Sequence, residues 1–215
     1  MRRFLLLAHR VPVNGAFTLN DLAGGAGRMD EVARVVSTAF TLSNDLRRDT
    51  ELTILFEAEP APAARQIRLE GARLRHLNPD ERSTAALLKN ALVRSIPMEH
   101  DVEASPGLVV GPVEPAEAIR TFALEPGAFW LSEGGIPLRA LTGTGDGFAA
   151  ILSDPTDPPP NELEFLRSTG IPRVSLGPVS MRSSQCVDVL HNEFDLRAAA
   201  RAPARAASAG PVGSP

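Results

Sequence analysis

This 215-residue chain carries a single cysteine, Cys186. A lone thiol cannot close an intrachain disulfide, and that excludes the small secreted folds built on such staples. It also excludes every zinc site made from paired CxxC ligands. Long apolar runs are missing too, and nothing approaches the roughly 20 residues a helix needs to cross a bilayer. The closest approach to a targeting segment is Met1 to Val13, where Arg2 and Arg3 precede the apolar run Phe4 to Ala8, ended by His9 and Arg10. That run is too short for a signal peptide and reads as a buried first strand. A soluble, cytoplasmic chain is expected. No GxSxG, HExxH or Walker sequence occurs. The histidines, His9, His76, His100 and His191, are scattered without ligand spacing, so no metal is expected and each reads as a surface or satisfied side chain.

Lysine is nearly absent as well. Lys89 stands alone, and every other basic residue is arginine. Coding bias accounts for that, and so does a preference for guanidinium forks that match phosphate. The net charge of −4 argues against a polybasic binder but conceals a division. Residues 1–94 hold 14 basic and 11 acidic side chains, and residues 95–215 hold 8 and 15. An anionic partner favours the first half.

What is present is an ordinary globular composition, 43% hydrophobic and 22% charged. Short apolar runs at Phe4–Ala8, Leu52–Phe56, Leu108–Gly111, Phe129–Ser132, Phe148–Ser153 and Arg173–Leu176 read as strands, with an alternating one around Ile67 and Leu69. Helices are expected from Arg28 to Ser43, from an Asn78-Pro79-Asp80-Glu81 start to Arg94, from Pro115, from Asn161 to Ser168, and from Ser183 or Ser184 to Ala198. Strands alternating with helices imply an α/β fold, a mostly parallel sheet flanked by helices. One domain spans 1–198. Residues 199–215, rich in Ala, Pro, Gly and Ser, are expected to be a disordered tail. Gly143, Gly145 and Gly147 mimic a dinucleotide loop but precede a strand, and read as a hairpin turn.

Three constellations could carry chemistry. Gly24-Gly25-Ala26-Gly27 before the first helix is either an anion cradle of free amides, with Arg28 adding charge, or a plain turn. Asp45-Leu46-Arg47-Arg48-Asp49 is either a solvated ion-pair cluster or a pair of phosphate clamps. The loops after two buried strands, at Ser153-Asp154 and Leu176-Gly177-Pro178, lie where parallel sheets place ligands.

Together with Asn78-Pro79-Asp80-Glu81-Arg82, Ser105-Pro106-Gly107, Arg173 to Pro178, and Cys186 with Leu190-His191-Asn192, these stretches resemble the TrmY family of tRNA pseudouridine N1-methyltransferases. That family belongs to the trefoil-knotted SPOUT methyltransferases, and the resemblance runs from Phe4 to about Leu196. It implies a C-terminal knot, S-adenosyl-L-methionine as cofactor, a homodimer, no metal and an RNA partner, tRNA. It puts Leu131, Ser153, Asp154, Leu176, Gly177, Pro178 and Cys186 around the cofactor. Arg28, Arg47, Arg48 and Arg82 are then candidates for the RNA backbone. Asp30 and Asp49, each near an arginine, are candidate acceptors of the N1 proton; orienting those arginines is their other role. The resemblance also leaves room for another RNA uridine, an rRNA site, or an RNA-binding dimer without activity. One departure stands out. Ser153 to Pro160 holds four prolines where the relatives' knot loop is glycine-rich, so it offers fewer amide donors.

Overall fold

Alternate residues of the first strand, β1 (Arg2–Pro12), face two different layers. Phe4, Leu6 and Ala8 enter one core and Leu5 and Leu7 the other. A strand buried on both faces is the central strand of a parallel sheet, and β1 is that strand. The computed structural model describes residues 1–58, 64–75, 77–145 and 147–201. Among them lie seven more strands: β2 (Thr50–Ala58), β3 (Arg65–Glu70), β4 (Val102–Ser105), β5 (Leu108–Pro112), β6 (Ala128–Pro137), β7 (Phe148–Ser153) and β8 (Arg173–Ser175). The helices are α1 (Met29–Phe40), α2 (Glu81–Ser95), α3 (Pro115–Ala123), α4 (Pro160–Ser168) and α5 (Ser183–Arg201).

The strands form one sheet in the order β4-β5-β3-β2-β1-β7-β6-β8. From β2 to β8 every pairing is parallel, while β3, β5 and β4 add an antiparallel flank. Helices α1, α2 and α5 cover one face. There Phe148 packs edge-on against Phe4 at 5.1 Å and lies 4.4 Å from Phe194 of α5. Helices α3 and α4 cover part of the other face through Ile119 and Leu166, over Leu5, Leu7, Leu55, Trp130 and Ile151. Each such large side chain contributes about 1.5–3 kcal/mol on burial.

Several local expectations change. The first helix starts at Met29 and ends at Phe40, because Thr41 is extended and bridges to Leu46. The second helix is capped by Asp80, whose carboxylate accepts from the Ser83 amide, and not by Asn78. Strand β4, unforeseen, pairs with β5. Gly143 to Gly147 is no hairpin: β6 and β7 run parallel, so the chain must cross over between them. Helix α5 continues through Ala199 to Arg201, and the remainder of the expected tail, 202–215, lies outside the described residues, as does His76.

His191 ties α5 to the sheet and makes stability depend on pH. Its Nε2 faces the Ala39 carbonyl at 3.2 Å and its Nδ1 faces the Arg2 guanidinium at 3.1 Å, an arrangement that needs a neutral ring. Burial, with Arg47 and Arg2 adding repulsion, drives its pKa down to about 3. A depressed folded pKa means stability that is complete above the unfolded value, near 6.5, and is lost as pH falls toward 3. From this residue alone, about 2–3 kcal/mol is expected to disappear between pH 6.5 and 4.5. Urea unfolding at both pH values checks this, and a His191→Gln variant should not show that loss.

Candidate functional site

β1, β7, β6 and β8 are parallel neighbours, so their carboxyl ends meet at one edge of the sheet, where ligands of such folds sit. A cavity of about 600 Å³ opens there, well within the range of small-molecule sites. Leu131, Ser132 and Glu133 of β6 form one wall. Ser153, Asp154, Pro155, Asp157 and Pro158, after β7, form a second. Ser175 to Gly177 and Val179 to Arg182, after β8, form a third, and Ser183 and Cys186 of α5 complete it. Six of the seven residues expected around a cofactor therefore line one cavity: Leu131, Ser153, Asp154, Leu176, Gly177 and Cys186. Pro178 sits between lining residues without lining it. The walls are joined to one another, since the Ser183 hydroxyl donates to the Ser153 carbonyl and Ser180 donates to Glu133 at 2.7 Å.

Cys186 is half-buried in the first turn of α5, and burial, with Glu133 and Glu31 nearby, pushes its thiol up to about 11. It is a packing thiol and not a nucleophile, which needs a thiolate.

The glycine turn is a real anion cradle, but the chain fills it itself. The Gly24 and Gly25 amides donate to the Asp21 carboxylate at 2.9 and 2.7 Å, which holds Asp21 below the usual carboxylate range. The Ala26 and Gly27 amides bond to the Asp21 and Gly24 carbonyls. No free amide remains for a phosphate.

Arg28 and Asp30 stand at the start of α1 and do not line the cavity; the tie between this turn and the cavity runs through the next residue, Glu31. Arg28 takes a left-handed conformation at the start of α1 and holds Asp30 through Nε at 2.9 Å and Nη2 at 3.1 Å. Arg34 grips Asp30, Glu31 and Glu81. The next carboxylate, Glu31, accepts from the Ser184 amide at 2.9 Å and so caps α5 next to Ser183 and Cys186. Asp30 is only 4% exposed, and although burial works against its charge, Arg28 and Arg34 keep its pKa below the usual range. Arg82 is close to the same corner, donating to the Leu19 carbonyl and Asn20 Oδ1.

Arg47, Arg48 and Asp49 are at the opposite edge. Asp49 pairs with Arg2 at 3.4 Å, and its carbonyl accepts from the Arg2 amide. Arg2 aligns with Phe148, the first residue of β7, whereas the first residue of β7 to line the cavity is Ile151, opposite Leu5. Three residues of strand separate them, about 10 Å. Arg47 pairs with Asp195 of α5, and Arg48 donates to the Gly71 and Leu74 carbonyls and to Asp45. A hollow of about 840 Å³ lies at that edge, lined by Arg48, Arg73, Arg75 and Glu103 among others. No buried unpartnered polar atom belongs to its lining among the described residues.

Trp130, which borders the carboxyl-edge cavity, has its Nε1 buried out of contact with that space and without a hydrogen-bond partner. Open space in front of Gly177 and the mixture of Leu131, Leu152, Leu176 and Met181 with serine hydroxyls suit an amphipathic ligand. Trp130 and Arg34 carry no motif that marks them in the sequence. The same holds for a buried group behind the loop after β7, made by His9, Glu57, Asp154 and Glu162, whose members are up to 153 residues apart. Among the described residues no group of His, Cys, Asp and Glu is arranged to hold a metal ion, and no helix is long and apolar enough to cross a membrane.

A mostly parallel sheet with an amphipathic cavity at the carboxyl ends of its central strands defines an α/β protein organised around a small-molecule cofactor. The chain belongs to the family described as "Putative SAM-dependent RNA methyltransferase", which matches residues 1–199. It is 40% identical over 197 residues to the tRNA (pseudouridine(54)-N(1))-methyltransferase of Methanocella arvoryzae, covering 92% of this chain and all of that one. It is 37% identical over 201 residues to the protein of the same name from Methanosarcina acetivorans, covering 94% of each. In structure it is similar to Archaeoglobus fulgidus Nep1 bound to S-adenosylhomocysteine, with a TM-score of 0.58 and 14% identity over 92% of this chain and 99% of that one, a likeness of fold.

Proposed function

We propose that this chain methylates N1 of a pseudouridine in tRNA, with S-adenosylmethionine held in the carboxyl-edge cavity. The observation that carries the reading is the convergence of three loops, after β6, β7 and β8, with the first turn of α5 on one amphipathic cavity. When bound, the cofactor supplies a methyl group on a positively charged sulfur. Leu131, Leu176 and Met181 shield it from water, while Ser153 and backbone groups of Leu176 and Gly177 orient it. Good alignment of donor and acceptor can remove several kcal/mol of barrier, up to about 7–11 in ideal cases.

The acceptor N1 carries a proton that has to leave. Of the two candidate carboxylates, Asp30 precedes Glu31, which bonds to α5 next to the cavity residue Ser183, whereas Asp49 lies at the opposite end of the strands, so Asp30 is assigned the proton. Arg28 and Arg82, at the same corner, hold the RNA backbone, and the target base is splayed out of its loop to reach the cavity. Arg47 and Arg48 join α5 and the β3 turn to the sheet, and any RNA they touch lies away from the transfer site. The resemblance to the knotted methyltransferases adds a trefoil knot through these loops and a homodimer. Exposed Val179 and Leu196, 71% and 57% accessible, are apolar surface suited to a partner subunit.

The decisive experiment is nucleoside mass spectrometry of a pseudouridine-containing tRNA incubated with the protein and S-adenosylmethionine. N1-methylpseudouridine is the expected product. Its absence, with cofactor binding intact, moves the target to another RNA position.

A further inference from the structure

The wall formed by Ser153 to Pro160 poses a structural problem. Pro155, Pro158, Pro159 and Pro160 donate no hydrogen bonds, yet the segment must keep one shape to serve as a cavity wall. The solution lies behind it. His9, at the carboxyl end of β1, is buried to within 11% of its side-chain surface, with Asp154 on one side and Glu162 on the other. Its Nδ1 is 3.3 Å from Asp154 Oδ1 and its Nε2 is 2.8 Å from Glu162 Oε2. An ionised carboxylate only accepts, so both ring nitrogens donate and the ring is an imidazolium. Burial opposes that charge, but the two hydrogen bonds and the two carboxylate charges outweigh it and hold the ring at about 10.

The bonds reach both ends of the segment. Asp154 also accepts from the His9 amide at 2.9 Å and from the Thr156 amide at 2.8 Å, and the Ser153 hydroxyl donates to the Thr156 carbonyl. Glu162 lies in the first turn of α4, just beyond Pro160. One ring thus fastens the start of the segment and its exit to the same strand. Two other carboxyls act on the cluster. Glu57 of β2 has a buried, unpartnered Oε1. Burial first, then the charges of Glu162 and Glu114, with His9 opposing, push it up to about 7.

We propose that His9 is a positioning residue for cofactor binding: clamped between Asp154 and Glu162, it holds the proline-rich segment Ser153–Pro160 in the shape that forms the cofactor cavity. The proposal rests on the cofactor reading of that cavity. It gives a buried histidine the work that backbone donors cannot do in this loop.

The test is calorimetric titration of S-adenosylhomocysteine into the full chain and its His9→Gln variant, with hydrogen exchange of residues 153–158. The variant is expected to bind roughly tenfold more weakly, because a loop no longer pre-organised must be ordered on binding. Its amides in the segment should exchange faster, the KM for S-adenosylmethionine should rise with the Kd, and kcat at saturation should stay within about threefold. In the unmodified chain, affinity should fall as pH rises through about 10, more steeply than in the variant. Should His9→Gln fail to fold, Glu162→Gln takes its place, with the same direction expected. A folded variant with unchanged affinity and unchanged exchange overturns the proposal while leaving the cofactor reading standing. No binding by the unmodified chain overturns both.

Discussion

Gly27→Ala is expected to destabilise the protein by about 4 kcal/mol or more, a loss reserved for a few severe mechanisms. Two of them coincide here. Gly27 has a φ of +63°, a conformation that costs a residue with a Cβ about 1–2 kcal/mol. In addition, a Cβ there would lie 2.0 Å from the Arg10 carbonyl oxygen and 2.4 Å from its carbon. Both are backbone atoms of β1 and cannot rotate away. Gly143 supplies the control. Its φ is +81°, but nothing lies within 4 Å of an added Cβ, so Gly143→Ala should cost only the conformational part. Thermal melts of the two variants separate the terms. For a chain this long, Gly27→Ala should lower Tm by about 8–16 °C and Gly143→Ala by about 2–8 °C. Equal shifts would mean that the close approach of the turn to β1 contributes nothing.

Asp30→Asn is expected to lower kcat by about 10²–10⁴, the range for removal of a general base, with S-adenosylhomocysteine affinity unchanged. Asp49→Asn should change kcat by less than about threefold, since Asp49 is separated from the cavity by some 10 Å of strand. The neighbours of Asp30 make the experiment sharp. Both of its oxygens accept from arginine, Arg28 on one and Arg28 with Arg34 on the other. If its task is to orient Arg28, the loss falls on the KM for RNA and leaves kcat alone. If it takes the proton, kcat falls and the acid limb of the pH–rate profile disappears. Steady-state kinetics with RNA varied at saturating cofactor distinguish the two.

Much of the architecture was legible residue by residue. The apolar runs at Phe4–Ala8, Leu52–Phe56 and Phe148–Ser153 are buried strands, and the alternation around Ile67 is a half-buried one, because side chains on a strand repeat every two residues. Pro115 and Ser168 bound helices as proline placement and local pattern require. What misled was chemistry that a distant residue supplies or removes. The glycine run left a phosphate cradle and a plain turn both open because Asp21 gives no local sign that its carboxylate turns back onto Gly24 and Gly25. Gly143 to Gly147 looked like a hairpin because the direction of the next strand is a property of the whole sheet.

The cavity was half legible for the same reason. Its loops follow recognisable strands, so Ser153 and Leu176 could be named in advance. The resemblance to a known family added Leu131 and Cys186 and supplied what they bind. By itself, then, the sequence determined the α/β class, the strand runs, the charge division and two of the loops at the cavity, since those depend on neighbours a few positions away. Only the tertiary structure decided which charges face each other. It joined His9 to Asp154 and Glu162, set Asp30 between Arg28 and Arg34 and Asp49 against Arg2, and turned Arg47 toward α5. Electrostatic and hydrogen-bonded contacts act over a few ångströms of space, and the chain brings residues within that range only after it has closed into a sheet.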